Sequence, residues 1–191
     1  TFFGNGIVAH VGMAEPVCSD LADRLETAAR TTGATVHRGG TYLCIEGPQF
    51  SSKGESRIYR QWGVDVIGMT NMPEAKLARE AELCYATLAL ATDYDVWHES
   101  EETVSVEAVV AILLKNVATA KEVLRHVIPQ IGPLRRCGCP VLLRNAVITH
   151  PSAFPRRTRK ALDLLLGKYF PGDKGEGGRK MVRAKGRARR G

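Results

Sequence analysis

Val64-Asp65-Val66-Ile67-Gly68-Met69-Thr70-Asn71-Met72-Pro73-Glu74 is the stretch that decides the fold. Val64 to Ile67 reads as a short strand ending at Gly68, and Pro73 with Glu74 opens a helix. Pro in a first helical turn forfeits no hydrogen bond, and a carboxylate beside it suits the positive helix end. The apolar residues Ala75, Leu77, Ala78, Ala81 and Leu83 carry that helix to about Tyr85. Ala86 to Ala91 is apolar again, reads as the next strand, and runs into Thr92-Asp93-Tyr94-Asp95. Strand, turn, helix and strand make a βαβ unit, in which ligands collect at the carboxyl ends of the strands. Both polar turns fall there. Upstream, Thr41 to Ile45 alternates as a strand does and delivers a third turn, Glu46-Gly47-Pro48-Gln49-Phe50-Ser51-Ser52.

The remaining chain supplies the layers around such a sheet. Ser19 to about Thr32 predicts a helix capped by Ser19, with Leu21, Ala22, Leu25, Ala28 and Ala29 on one face and Gly33 as its stop. Strands are expected around Thr35 to Ile45. A long amphipathic helix begins in Val104-Ser105-Val106-Glu107-Ala108-Val109-Val110 and reaches about Arg125. Ile128 to Pro140 reads as a loop, Val141 to Val147 as an apolar run, and Thr149-His150-Pro151 as a turn. A last helix from about Pro155 to Tyr169 places Leu162, Leu165 and Leu166 on one side. The expected fold class is therefore α/β, a three-layer domain with a mixed central sheet over residues 1–170, followed by a basic disordered tail over 171–191.

With 191 residues, 44% of them hydrophobic, the chain is long enough for one core. No run approaches the ~18 apolar residues of a membrane span. The net charge of +7 invites a nucleic-acid reading, but its distribution disposes of most of it. Residues 172–191 hold eight Lys or Arg against Asp173 and Glu176, which leaves the body nearly neutral. A Gly-rich charged end meets nucleic acid only weakly, through salt-sensitive phosphate attraction. No aromatic interleaves its cations to stack on bases. The five cysteines, Cys18, Cys44, Cys84, Cys137 and Cys139, are odd in number and scattered, which suits a reducing cytoplasm. Cys137-Gly138-Cys139 is closer-spaced than the usual zinc pair and reads as structural, so no metal is expected.

Three phrases carry a resemblance: Ile45-Glu46-Gly47-Pro48-Gln49-Phe50-Ser51-Ser52, Met69-Thr70-Asn71-Met72-Pro73-Glu74 and Ala91-Thr92-Asp93-Tyr94-Asp95-Val96-Trp97. From about Phe2 to Ile131 the chain resembles the purine nucleoside phosphorylase family, in the branch that acts on S-methyl-5'-thioadenosine. The resemblance implies a cytoplasmic pentosyltransferase that needs no cofactor and uses phosphate as co-substrate. Phosphate attacks the ribosyl carbon as the purine leaves, giving adenine and 5-methylthioribose 1-phosphate. It implies a homotrimer, with His10 reaching across a subunit interface to close the neighbour's methylthio pocket. Family members also hold phosphate with a Gly-Ser-Gly loop near their start, followed by an Arg-His pair and a Thr-Ala turn. No Gly-Ser-Gly occurs here, and the chain reads as the C-terminal part of such an enzyme.

The same resemblance assigns the site. Asp93 and Asp95 become the catalytic pair, one protonated carboxyl meeting purine N7 while the other accepts from the exocyclic amine. Tyr94 lies between them in the substrate site. An arbitrary Asp-x-Asp more often caps a turn, and only the surrounding phrases argue otherwise. Phe50 is expected to stack on the purine and Met69 to lie under the ribose, where isolated Phe and Met residues would be core. Thr70 is expected to give phosphate its hydroxyl and N–H. Ser51 and Val106 sort substrates, Val106 lining an apolar pocket for the methylthio group. Such a pocket rejects a hydroxyl by roughly a hundredfold at best. Two other readings stay open: a phosphorylase of 6-oxopurine nucleosides, including methylthioinosine, and a non-catalytic binding or oligomerisation module.

Overall fold

The computed structural model describes residues 1–96, 106–133 and 135–171. The expectations for the basic tail beyond Pro171 and for the Val106 side chain lie outside the described residues.

The alternation at Thr41 to Ile45 yields β1, Tyr42–Cys44, and the run before Gly68 yields β2, Val66–Gly68. They pair in parallel, Tyr42 against Val66, Leu43 against Ile67 and Cys44 against Gly68. Parallel neighbours need a crossover, here α2, Lys53–Gln61. With α1 (Ser19–Thr31) preceding β1, the strand–helix–strand unit is β1–α2–β2. The sequence reading had no helix over Lys53–Gln61, which holds few apolar residues. What starts α2 is a capping box. The Ser52 hydroxyl accepts from Glu55 N–H at 3.3 Å, and the Glu55 carboxylate accepts from Ser52 N–H at 2.8 Å. That backbone bond holds the Glu55 carboxyl below its ordinary range.

After β2, α3 spans Glu74–Glu80, shorter than the helix expected to Tyr85. Glu82 turns left-handed at φ +56°, and Leu83 N–H reaches back to Ala78 O at 2.9 Å, closing the helix end. The strand expected over Ala86–Ala91 is not formed. Its flanking carbonyls are taken by helices instead, Tyr85 O by Cys18 N–H at 2.7 Å and Ala91 O by Asn116 Nδ2 at 2.8 Å. Leu88 packs against the core between α1 and α4. Leu90 stays 38% exposed, and among the described residues the sheet is two parallel strands rather than a mixed one.

α1 begins with Cys18 in the cap position, one residue before the expected Ser19, and Gly33 ends it at φ +75°. It packs against α4, Val106–Val127, through Ala28, Ala29, Val123 and Val127. A second core joins the chain's two ends. Residues 7–10 run antiparallel to 146–149, with His10 N–H on Ala146 O at 2.8 Å and Ile148 N–H on Val8 O at 2.9 Å. Phe3, Ile7, Leu143, Ala146, Leu162 and Leu166 are buried between them. The expected last helix is broken at Leu162 into α5, Arg156–Ala161, and α6, Asp163–Leu166. Glu82 fastens this second core to the end of α3. It is 6% exposed, accepts from Leu143 N–H at 2.8 Å and Tyr169 hydroxyl at 2.5 Å, and pairs with Lys168. No helix among the described residues is long and apolar enough to cross a membrane.

Candidate active site

Two of the polar turns leave the sheet side by side, because β1 and β2 are parallel and adjacent. Ile45 N–H donates to Gly68 O at 2.9 Å, extending the pairing one residue past β1. From there the first chain turns through Gly47, at φ +70°, and the second through Met69. The Met69 sulfur lies so close over Gly47 that a Cβ there would meet it at 2.5 Å. Met69 is therefore half-buried against the loop that carries Phe50, rather than in a core. Phe50 is 85% exposed, which also removes it from the core and leaves both ring faces available. Ser51 is half-buried just before the cap of α2, and Thr70 is exposed.

Close packing continues beneath the turn. A Cβ on Gly68 would lie 1.8 Å from the Tyr42 hydroxyl oxygen. Gly68→Ala is accordingly expected to destabilise the fold by about 1–3 kcal/mol, the usual cost of overpacking. Urea denaturation measures it, and Tyr42→Phe in the same chain should recover part of the loss by removing the nearest atom. An undiminished midpoint for Gly68→Ala would show that the ring swings aside freely.

The third segment reaches the turn through Asn71, a residue that the sequence reading quoted without a role. Asn71 Oδ1 accepts from the Tyr85 and Thr87 hydroxyls, each at 3.1 Å, and Tyr85 also donates to Glu74 at 3.2 Å. Burial, then the nearby Glu74 carboxylate, raises the Tyr85 pKa. Cys44 secures the other side, its sulfur accepting from Met72 N–H at 3.3 Å. The chain from Tyr85 towards Asp95 thus runs past the Met69–Asn71 turn although it forms no strand. Turn asparagines that bond across to a neighbour leave no spacing pattern, so only the fold exposes these partners.

Asp93 and Asp95 differ in surroundings. Asp93 is exposed and accepts from the Thr92 hydroxyl at 3.0 Å. Asp95 accepts from Val96 N–H through Oδ1 at 2.9 Å, while its Oδ2 is buried with no hydrogen-bond partner among the described residues. A buried carboxylate oxygen left unpaired is costly, and it is the kind of atom a ligand donor satisfies. Tyr94 is 73% exposed between them. His10 stands apart, exposed on a shallow cleft with Val11, Met13, Lys76 and Glu80. Among the described residues no hydrogen bond joins it to the turns.

The cysteines are not scattered in space. The sulfurs of Cys18, Cys84, Cys137 and Cys139 all lie within 4.8 Å of one another, with Cys84 and Cys137 at 3.4 Å. Cys18 and Cys139 are buried, and all five cysteines are free thiols. Burial first, then the neighbouring thiols, pushes Cys139 up to about 11 and raises Cys84 as well.

Residues 1–129 match the family described as Phosphorylase superfamily. The S-methyl-5'-thioadenosine phosphorylase of Geobacter sulfurreducens is 58% identical over 169 residues, covering 88% of this chain and 59% of that protein. That of Koribacter versatilis is 52% identical, over 89% of this chain and 58% of the other. Among solved structures, a methylthioadenosine phosphorylase from an Antarctic soil metagenomic library superposes with a TM-score of 0.80 at 45% identity, over 86% of this chain and 59% of that one. A Schistosoma mansoni methylthioadenosine phosphorylase in complex with adenine gives 0.65 at 32% identity, over 74% and 56%. The chain spans about three fifths of the length of the curated relatives it matches.

Proposed function

Because the chain belongs to the phosphorylase superfamily, we propose that it serves the phosphorolysis of S-methyl-5'-thioadenosine to adenine and 5-methylthioribose 1-phosphate. The observation that supports this most directly is the Asn71 junction, which holds the segment leading to Asp93 and Asp95 beside the Met69–Thr70 turn. Phe50, Met69 and Thr70 stand on neighbouring loops past the carboxyl ends of β1 and β2, and in this reading Asp93 and Asp95 complete the site.

In this reading Phe50 stacks on the adenine, Met69 packs under the ribose, and Thr70 gives its hydroxyl and N–H to phosphate. A phosphate oxygen attacks the anomeric carbon while the bond from that carbon to the purine nitrogen breaks. The bonding electrons pass into the purine, and a proton held by the aspartate pair neutralises it at N7. A carboxyl acts as that acid only where its surroundings favour the protonated form. Ser51, Tyr94 and Val106 shape the pocket, and His10 reaches into a neighbouring subunit. The proposed assembly is a homotrimer in the cytoplasm, working without cofactor or metal in the reaction. Support for added protein contacts comes from α4, where Val110, Leu113 and Leu114 are 47%, 48% and 65% exposed. Exposed apolar groups on one helix of this kind mark interaction surfaces.

The test is adenine release from S-methyl-5'-thioadenosine with and without phosphate, beside inosine and methylthioinosine. It is run on this chain and on a chimera carrying the part of the Geobacter protein that this chain does not span. Phosphate-dependent adenine release by either supports the reading. Turnover of the inosine compounds alone replaces it with a 6-oxopurine phosphorylase. Silence of both, with nucleoside binding retained, replaces it with a binding module.

A further inference from the structure

The four clustered cysteines come from three separate parts of the chain. Cys18 caps α1, Cys84 follows the left-handed turn after α3, and Cys137 and Cys139 flank Gly138 before a short 3-10 turn at Cys139–Val141. The pieces are fixed to each other by hydrogen bonds independent of sulfur. Cys18 N–H donates to Tyr85 O at 2.7 Å, and Arg135 Nη1 to Glu82 O at 2.9 Å.

We infer that Cys18, Cys84, Cys137 and Cys139 form a tetrathiolate site for one Zn2+ ion, separate from the proposed nucleoside site. Tetrahedral zinc with Zn–S bonds of about 2.3 Å sets its sulfurs roughly 3.8 Å apart. Four sulfurs mutually within 4.8 Å, with one pair at 3.4 Å, are already close to that arrangement. All four are free thiols, and the 3.4 Å between Cys84 and Cys137 is well beyond the about 2.05 Å of a disulfide. Four thiolates select a soft or borderline ion, because magnesium and calcium take oxygen ligands. Cys18 is held at the cap of the thirteen-residue helix α1. Cys84 and Cys137 are half-buried, which gives an ion a way in, while Cys18 and Cys139 close the inner side. With all four positions filled by protein the ion has no open site for substrate. Its role is to tie the start of α1, the end of α3 and the segment entering the second core into one unit.

Cobalt(II) tests this on the reduced, chelator-treated chain. The expected result is one equivalent bound, with the visible absorption of a tetrahedral tetrathiolate and intense near-ultraviolet sulfur-to-metal charge transfer, both abolished by stoichiometric Zn2+. Cys137→Ser and Cys139→Ser should each lose that spectrum, and Cys44→Ser should keep it. Zn2+ should also raise the melting temperature of the parent chain and not that of Cys139→Ser. Absence of the tetrahedral spectrum in the reduced parent chain overturns the inference, whether or not the variants fold. So does a spectrum that survives Cys137→Ser, or a thiol titration showing stable disulfides in an isolated protein that binds no metal after reduction.

Discussion

Asp95→Asn is expected to lower kcat/KM for S-methyl-5'-thioadenosine by about 10²–10⁴-fold, the range contributed by a positioned acid. It should change the rate with methylthioinosine much less. The reasoning starts from the two oxygens of Asp95. One is engaged by Val96 N–H, and the other is buried with no partner among the described residues. An exocyclic amine or a protonated N7 would satisfy it, whereas an amide offers N–H where the carboxylate accepted. The amide therefore suits a 6-oxo group better than a 6-amino group, and sites built around one hydrogen-bonding pattern discriminate steeply against its inverse. Asp93→Asn is expected to cost less, because Asp93 is exposed and already accepts from the Thr92 hydroxyl. Steady-state kinetics on both nucleosides, in whichever chain or chimera is active, measures this. Equal losses on both substrates would mean that Asp95 only shapes its loop.

The sequence made the turns easier to see than the sheet. Pro73-Glu74 marks the start of α3, and Gly33 marks the end of α1, because each acts through its own backbone. Thr41 to Ile45 contains β1, and Val64 to Ile67 holds the first two residues of β2, which runs on through Gly68. Ala86 to Ala91 misled for a physical reason. An apolar run without period is the same whether strands or helices pack on it, and here Leu88 alone packs into the core between α1 and α4 while Leu90 stays exposed. The start of α2 was legible in Ser52 and Glu55, whose three-residue spacing is a cap signature, yet its sparse apolar content hid it. The left-handed turn at Glu82 was not legible, since nothing local requires a glutamate there. The four-sulfur cluster was equally hidden, because positions 18, 84 and 137 meet only through the fold. Of the candidate site, Met69 and the Phe50 loop are brought together over Gly47, while Asn71, Tyr85 and Thr87 supply the link that residue types alone did not suggest.

Glu82→Ala is expected to destabilise the protein by about 2–4 kcal/mol, because it orphans a buried N–H and a hydroxyl together. Leu143 is fully buried and its N–H donates to Glu82, as do Tyr169 and Lys168. Glu82 also holds a left-handed backbone that non-glycine residues avoid. Glu82→Gly should therefore lose less than Glu82→Ala, since it relieves that strain while removing the same carboxylate. The loss depends on pH with a definite sign. Burial by itself would raise the Glu82 pKa, but the Lys168 ammonium, the Tyr169 hydroxyl and Leu143 N–H outweigh it and hold the carboxyl below its ordinary 4.5. A carboxyl depressed in the folded state contributes its stability above its unfolded pKa and loses it as pH falls through the folded value. The gap in urea midpoint between the parent chain and Glu82→Gln should thus be full at neutral pH and shrink below about 4.5. At the alkaline end Lys168, raised above 10.5 chiefly by its bond to Glu82, contributes below its unfolded pKa and loses that contribution as pH rises through the folded value. The gap should consequently narrow at both extremes. A gap that stays constant from pH 7 to pH 3 would mean that Glu82 acts by filling space, and its charge by nothing.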